Sequence, residues 1–347
     1  MKIGIVGDIH FSEYSSILRS RGEKYSVRLE NCIDSINWAE NIFKDEEVEE
    51  IVYLGDFFDK SSLNAEELTA VSSIEWDDKH HTFLVGNHEM GINDLTFSSA
   101  HLFKFDSVNL FKFTDSNGFT VADSAYCLDL GDIELCYLPY TLEEDRKSLK
   151  EYFHDKTSKK RVIFSHNDIS GIQMGQFISK AGFSIEEIED SCDLFFNGHL
   201  HNGMPITNKI INVGNLTGQN FSEDGFKYSH NIFILDTDTL TYTVIRNPYA
   251  INFYKVENLL DLNIVTNAVV SLKVHQSELD EARKLLESDN IIASRIIVDY
   301  SSVNNNDKSE DVLSVDHLEE FRKFIHTRLD GQVDGDLLSE EVDCIYG

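Results

Sequence analysis

Five short clusters in this sequence combine carboxylate, amide and imidazole side chains at spacings that suit metal chemistry. They are Asp8-Ile9-His10, Gly55-Asp56-Phe57-Phe58-Asp59, Gly86-Asn87-His88-Glu89, Ser165-His166 and Gly198-His199-Leu200-His201. Oxygen and nitrogen donors of this kind form a mixed shell, which suits manganese, iron or zinc better than calcium or magnesium. Two such cations roughly 3.5–4 Å apart, sharing a carboxylate, lower the pKa of a water between them and clamp phosphoryl oxygens. That is the chemistry of phosphoester hydrolysis. Taken singly, Asp-x-His is commonly a surface pair, and Gly-Asp after a strand is commonly a turn. All five together, in this order, point to one dinuclear site.

Each cluster follows a short apolar run that reads as a buried strand: Ile3–Val6, Ile51–Leu54, Phe83–Val85, Val162–Phe164 and Leu194–Phe196. Ligands of open α/β sheets bind beyond the carboxyl ends of strands, so five such ends can meet at one place. The glycines before Asp56, Asn87 and His199 let the backbone turn sharply there. Between the strands, Leu29, Cys32, Ile33, Ile36, Ala39 and Phe43 recur at helical spacing, and Leu68, Val71 and Ile74 suggest a further helix. Tyr126–Leu130 and Ile133–Leu138, joined by Gly131-Asp132, read as a hairpin. Residues 210–213, 232–235 and 242–245 add strands. Strands mixed with helices in this way predict an α/β fold, a layered β-sandwich flanked by helices.

A smaller α+β unit follows, with a strand at Val269–Val274, a helix at Glu278–Glu287 and a strand at Ile296–Val298. Residues 301–310 are polar and read as a linker. Leu318, Phe321, Phe324, Ile325 and Leu329 mark an amphipathic helix before an acidic tail. The expected divisions are a catalytic domain over 1–250, a cap over 251–303 and a C-terminal helical segment over 304–347.

The formal net charge is -31. A chain that gripped nucleic acid with its own surface would be basic, so an acidic one needs a local patch, a metal centre or a partner. Arg19, Arg21, Lys24 and Arg28 are the one local cluster of base, just after the first metal-type motif. They are either solvated charge or a grip on phosphates. The acidic runs 45–47 and 186–190 read as solvated faces. The five cysteines are scattered and lack a Cys-x-x-Cys pair, so reduced thiols in a cytoplasmic protein are expected. No apolar run of about 18 residues suggests a membrane span. Met1–Asp8 reads as a buried strand rather than a leader.

The set D-x-H, G-D-x-x-D, G-N-H-E, S-H and G-H-x-H, spread over roughly residues 1–220, resembles the signature of calcineurin-like metallophosphoesterases. The resemblance implies two divalent metal ions, with manganese the expected species. Asp8, His10, Asp56 and His201 would hold one ion. Asp56, Asn87, His166 and His199 would hold the other, with Asp56 shared. His88 would be the acid/base group. Glu89 stands where the family more often has Asp; it and Asp59 are both candidates to orient His88.

The superfamily signature alone does not choose a substrate. Residues 211–223 are similar to the strand and loop that follow the last metal histidines in SbcD-type proteins, the meiotic-recombination nuclease family. Gly214-Asn215 departs from that family's Gly-Ser or Gly-Thr step. Residues 233–236 with Asn247-Pro248-Tyr249 resemble its exit from the nuclease domain, and residues 265–300 resemble its DNA-recognition cap. The length is similar to that of compact phage-encoded members. The resemblance implies a DNA exonuclease and endonuclease subunit for repair, recombination or replication. It also implies a homodimer within a heterotetramer, partnered by an SbcC-like coiled-coil ATPase. The helix around Phe321 would dock on the coiled coil, or else simply pack on the chain's own core. The rival expectation, which the acidity favours, is a free-standing phosphatase or nucleotide phosphodiesterase. A scaffold with a vestigial site is disfavoured because every ligand position is filled.

Overall fold

The strand Lys2–Val6 is buried on both faces, and this dictates layers. Ile3 and Ile5 point into one core and Val6 into another. Gly4 lies under Phe43, whose ring a Cβ would approach to 2.8 Å. In the computed structural model, which describes residues 1–299 except 16, 19, 105–117 and 175–176, this strand sits inside a six-stranded sheet. The order is Thr241–Arg246, Asn231–Asp236, Lys2–Val6, Glu50–Tyr53, His80–Leu84, Phe119–Ala122. The last four run parallel, and Asn231–Asp236 pairs antiparallel to Lys2–Val6.

A second six-stranded sheet has the order Met204–Pro205, Ile210–Asn212, Leu194–Asn197, Lys160–Ser165, Ile133–Leu138, Tyr126–Asp129. Its four central strands are also parallel. Between the sheets lies an apolar core in which Ile5, Val52 and Leu84 meet Leu135, Phe164, Phe196 and Val213. The outer face of the first sheet is covered by the helix Val27–Asp45. Its apolar positions Leu29, Cys32, Ile36, Ala39 and Phe43 bury against Val6, Ile51, Tyr53 and Phe83. That helix starts where Ser26 accepts a bond from Leu29 N at 3.2 Å, satisfying one orphan donor. The outer face of the second sheet is covered by the helices Leu149–Phe153 and Ile185–Ser191. The expected α/β sandwich flanked by helices is the observed fold.

Two polar features tie these layers. Glu50, buried in the first sheet, accepts from Thr82 Oγ1 at 2.9 Å in the same sheet and from Tyr137 OH at 2.6 Å in the other. Arg161 is buried in the second sheet and pairs with Glu134 at 2.8 Å. It also donates to the carbonyls of Phe153, His154 and Ser191, at the ends of the two short helices. Cations suit such helix C-termini.

A third sheet joins Asn252–Val256, Ala268–His275 and Ile291–Asp299, all parallel. The crossover between the last two carries the helix Leu279–Leu285, and Val270, Leu272 and Ala282 share a core there. The strand–helix–strand reading of this stretch holds. The amphipathic helix read around Phe321 and the acidic tail lie outside the described residues, as does Cys344.

One expectation is corrected. Cys127 and Cys136 form a disulfide, while Cys32 and Cys192 are free and buried. The two strands of the hairpin pair antiparallel with Cys127 opposite Cys136, which brings their Cα atoms to 4.1 Å. The two-residue turn at Gly131-Asp132 fixes this register and with it the pair.

Replacing Arg161 leaves Glu134 and several helix-end carbonyls without their cation. Arg161→Leu is expected to lower stability by about 3–5 kcal/mol, the usual cost of removing one partner of a buried pair. Urea denaturation checks this, and a loss below about 1 kcal/mol would mean that the helix ends are held otherwise.

Candidate metal centre

The two sheets bring their carboxyl ends together, and the five clusters meet there. Asp8, Asp56 and Asn87 follow strands of the first sheet; His166, His199 and His201 follow strands of the second. Asp8, His10, Asp56 and His166 are buried. Within each of the trios Asp8–His10–His201 and Asp56–His166–His199, candidate ligand atoms lie within 4.8 Å of one another. His166 Nε2 is 3.2 Å from Asp56 Oδ2 and 3.2 Å from Asn87 Oδ1. His199 Nδ1 is 3.0 Å from the same Asn87 oxygen. His10 Nε2 is 3.0 Å from His201 Nε2. A further trio, His10–Asp56–His88, overlaps these.

The turns that deliver these groups are tight. His10, Asp56 and His199 all have positive φ, at 51°, 48° and 73°, a region that costs a non-glycine residue of order 1–3 kcal/mol. Glycine is required by close approach at two neighbouring positions. A Cβ on Gly198 would stand 2.6 Å from Asp8 Oδ1 and 2.7 Å from Leu54 O. One on Gly86 would run into Asp56 Oδ1 and Asp56 N.

Each of the four candidate histidine ligands is held from outside by one ring nitrogen. His10 Nδ1 faces Asp59 Oδ1 at 3.1 Å, and His166 Nδ1 faces Leu54 O at 2.7 Å. His199 Nε2 faces Asp168 Oδ1 at 3.3 Å, and His201 Nδ1 faces Glu223 Oε1 at 3.3 Å. Metal-bound histidines characteristically make this outward bond. A neutral imidazole has one N–H. If that N–H points outward, the inner nitrogen is a bare lone pair. Here such nitrogens converge on one another and on carboxylate and amide oxygens. Asp8 Oδ2 is buried and has no hydrogen-bond partner, an arrangement that calls for an ion.

Charge in the pocket agrees. Burial would depress His166, yet the Asp56 and Asp8 carboxylates lift it to about 9. Burial would raise Asp56, yet His166 holds it well below the usual carboxylate range. The pocket takes up positive charge, as protons or as cations. The residues present therefore fit a pair of divalent ions.

His88 sits at the edge, with its side chain 42% exposed. Its Nδ1 is 3.3 Å from Asp59 Oδ1, and its backbone N donates to Asp56 Oδ1 at 2.8 Å. The Asp59 bond, opposed by burial, lifts His88 to about 9, so at neutral pH it carries a proton to give. Of the two candidates to orient His88, Asp59 makes the contact. Glu89 is fully buried and accepts from Gly86 N at 2.9 Å and Phe58 N at 3.2 Å, stapling two site loops. Burial, aided by Asp56, pushes its carboxyl up to about 8.

Two described members of the basic cluster, Arg28 and Arg21, are engaged within the fold. Arg28 is buried and donates to Gly218 O at 2.6 Å and Ile9 O at 2.9 Å. It braces the loop of the first motif and corrects the expectation of a free phosphate contact. Arg21 pairs with Glu66 through two bonds of 2.6 and 2.7 Å. Lys24 is exposed, 4.8 Å from the Tyr25 ring centroid. Arg19 lies outside the described residues.

Sequence reading assigned no role at this site to Asp168, Glu223, Gln219 or Tyr140. Gln219 Nε2 donates to Asp59 Oδ1 at 2.9 Å. The Tyr140 ring lies 5.7 Å from that of His199. Asp168 is only two residues past His166, a nearness that could have drawn attention to it.

Fold and site together define a metal-dependent phosphoesterase. A family model for calcineurin-like phosphoesterases matches residues 1–203, and the chain belongs to that family. The family uses divalent metal ions. No curated protein matches the chain. Solved structures similar to it include a novel archaeal phosphodiesterase, 17% identical over 71% of this chain and 99% of its own, with TM-score 0.36. A dimetal phosphatase from Danio rerio is 15% identical over 71% and 99%, with TM-score 0.39. The calcineurin-like phosphoesterase YfkN from Bacillus subtilis is 9% identical over 71% and 88%, with TM-score 0.32.

Two outcomes follow from this geometry. His88→Ala should keep its ions while turnover falls by about 10²–10⁴-fold, the usual worth of a general acid. Metal analysis beside kinetics tests it, and loss of an ion would make His88 a ligand instead. Gly86→Ala should displace Asp56 and weaken ion binding at least about tenfold. Gly118→Ala, where nothing stands within 4 Å of a Cβ, should leave binding as it was.

Proposed function

We propose that the chain is the nuclease subunit of an SbcC–SbcD-type complex acting on DNA in repair, recombination or replication, with manganese as its ion. The observation that carries the hydrolase part is the meeting of two sheets' carboxyl ends around a carboxylate–imidazole pocket, with His88 at its rim against Asp59. The nuclease part rests on resemblance: the loop 211–223 after the last histidines, the exit at 247–249, and the strand–helix–strand unit beyond it.

In this reading Asp8, His10, Asp56 and His201 bind one ion, and Asp56, Asn87, His166 and His199 bind the other. Two bound cations would supply Lewis acidity toward the phosphoryl oxygens and a more acidic attacking water. His88 donates its proton to the leaving oxygen, and Asp59 keeps the ring turned toward it. Residues 1–250 form the catalytic domain and 251–303 a cap over DNA. Residues 304–347 dock on the coiled coil of an SbcC-like ATPase, within a heterotetramer containing two copies of this chain. The ATPase supplies the basic surface that this chain, at -31, lacks. A cytoplasmic location goes with this role; among the described residues no helix is long and apolar enough to cross a membrane.

A second reading, a free-standing phosphatase or nucleotide phosphodiesterase, is favoured by one observation. Arg28 is consumed inside the fold and Arg21 pairs with Glu66, so two of the four basic residues are already engaged.

One experiment separates the two. Cleavage of linear duplex DNA and hydrolysis of nitrophenyl phosphoesters are measured with manganese, with and without the coiled-coil ATPase. The nuclease reading expects DNA cleavage that the ATPase raises. Ester hydrolysis with no DNA cleavage in either condition would sink it and leave the phosphatase.

A further inference from the structure

Glu223 is 5% exposed, well inside the fold, and its carboxylate faces one of the candidate histidine ligands, His201. A buried carboxylate is costly unless its charge is engaged. This one is engaged on several sides. Its Oε1 accepts from Asn215 Nδ2 at 3.0 Å, from Gln219 N at 3.0 Å and from Asn220 N at 3.3 Å. Oε2 lies 3.1 Å from Gln219 N. The loop 215–223 is thus closed on its own acid. The same Oε1 is 3.3 Å from His201 Nδ1.

The closed loop reaches further. It aims the Gln219 side chain at Asp59, whose Oδ1 accepts from Gln219 Nε2 at 2.9 Å. That same oxygen is 3.1 Å from His10 Nδ1. Both histidines of the Asp8 half of the centre are therefore reached from one loop, His201 by Glu223 directly and His10 by Gln219 through the Asp59 carboxylate. The other half is held differently. His199 rests on Asp168 at 3.3 Å, and His166 on the Leu54 carbonyl at 2.7 Å.

We propose that Glu223 is a positioning residue for the Asp8–His10–His201 half of the centre alone, acting on His201 directly and on His10 through Gln219 and Asp59, while Asp168 positions His199 in the other half. The two ion sites are then set by separate supports, and each can be weakened without the other. This rests on the two-ion reading above. An outer carboxylate fixes the ring and raises its basicity, and its loss typically costs about 10–100-fold in metal affinity.

The test titrates the full chain, stripped of ions, with manganese alone. Calorimetry counts and ranks the sites, and electron paramagnetic resonance distinguishes a coupled pair from a single ion. His201→Ala and His199→Ala give reference spectra for loss of each half. Glu223→Ala is expected to weaken one of two sites by about 100-fold, leaving a spectrum like that of His201→Ala. Glu223→Gln keeps an acceptor oxygen and should weaken the same site by only about tenfold. Gln219→Met should weaken that site and spare the other. Asp168→Ala should resemble His199→Ala.

Equal loss at both sites, or a Glu223→Ala spectrum matching His199→Ala, would overturn the proposal. So would a fall in melting temperature with both affinities intact, which would make Glu223 merely structural. If Glu223→Ala does not fold, Glu223→Gln and Gln219→Met decide by the same criteria. Wild-type protein that takes up no ion pair would overturn the two-ion reading along with this one. A wild-type pair that survives every Glu223 and Gln219 substitution would overturn this one only.

Discussion

Everything at the centre depends on four imidazoles being gripped from behind. Asp59, Leu54 O, Asp168 and Glu223 each take one ring nitrogen and so decide which way the other faces. Left to themselves, inward lone pairs and carboxylates would repel, and the loops that carry them would spread. The sandwich resists that spread with a packed core between its sheets and with backbone turns forced into positive φ at His10, Asp56 and His199. Stability is given up locally so that electron-rich atoms stay within a few ångströms of each other, and a bound cation pair returns it.

Much of this was legible in the sequence because the informative residues are contiguous with the strands that place them. A buried strand followed within a few residues by Asp8, Asp56, Asn87, His166 or His199 marks a strand end where a ligand can sit, and the fold gathers these ends together. The supporting groups were not legible. Glu223 meets His201 across 22 residues of chain and Asn215 across 8, and Asp59 meets His10 across 49. Such contacts are properties of folded loops, and no local pattern encodes them. The Cys127–Cys136 pair, by contrast, is implicit in the hairpin, because its Gly131-Asp132 turn already sets the two opposite each other. Arg28 shows the reverse error. Four basic residues close in sequence look like one surface, but a helix turns one of its members inward, where it binds carbonyls instead of solvent.

That error bears on the electrostatics of substrate binding. An acidic chain repels a polyanion at long range, and salt weakens that repulsion only partly within a Debye length of about 8–10 Å. Local base engaged in ion pairs and carbonyl contacts does little to offset it. A phosphoester held by this chain alone depends chiefly on what lies in the pocket: the cations that the donor set accommodates and His88. Binding energy concentrated at the reacting phosphorus is well placed for stabilising the transition state.

The Glu50–Tyr137 contact ties together the two sheets on which that pocket is built. Apolar faces can slide across each other at little cost, whereas a short bond from a phenol to a buried carboxylate tolerates almost no slip. Asp8, Asp56 and Asn87 follow strands of one sheet and His166, His199 and His201 strands of the other, so each candidate ligand set draws on both sheets and depends on their alignment. Glu50 acts as a dowel in that joint, so the meeting of the donor atoms rests on the body of the protein as well as on its loops.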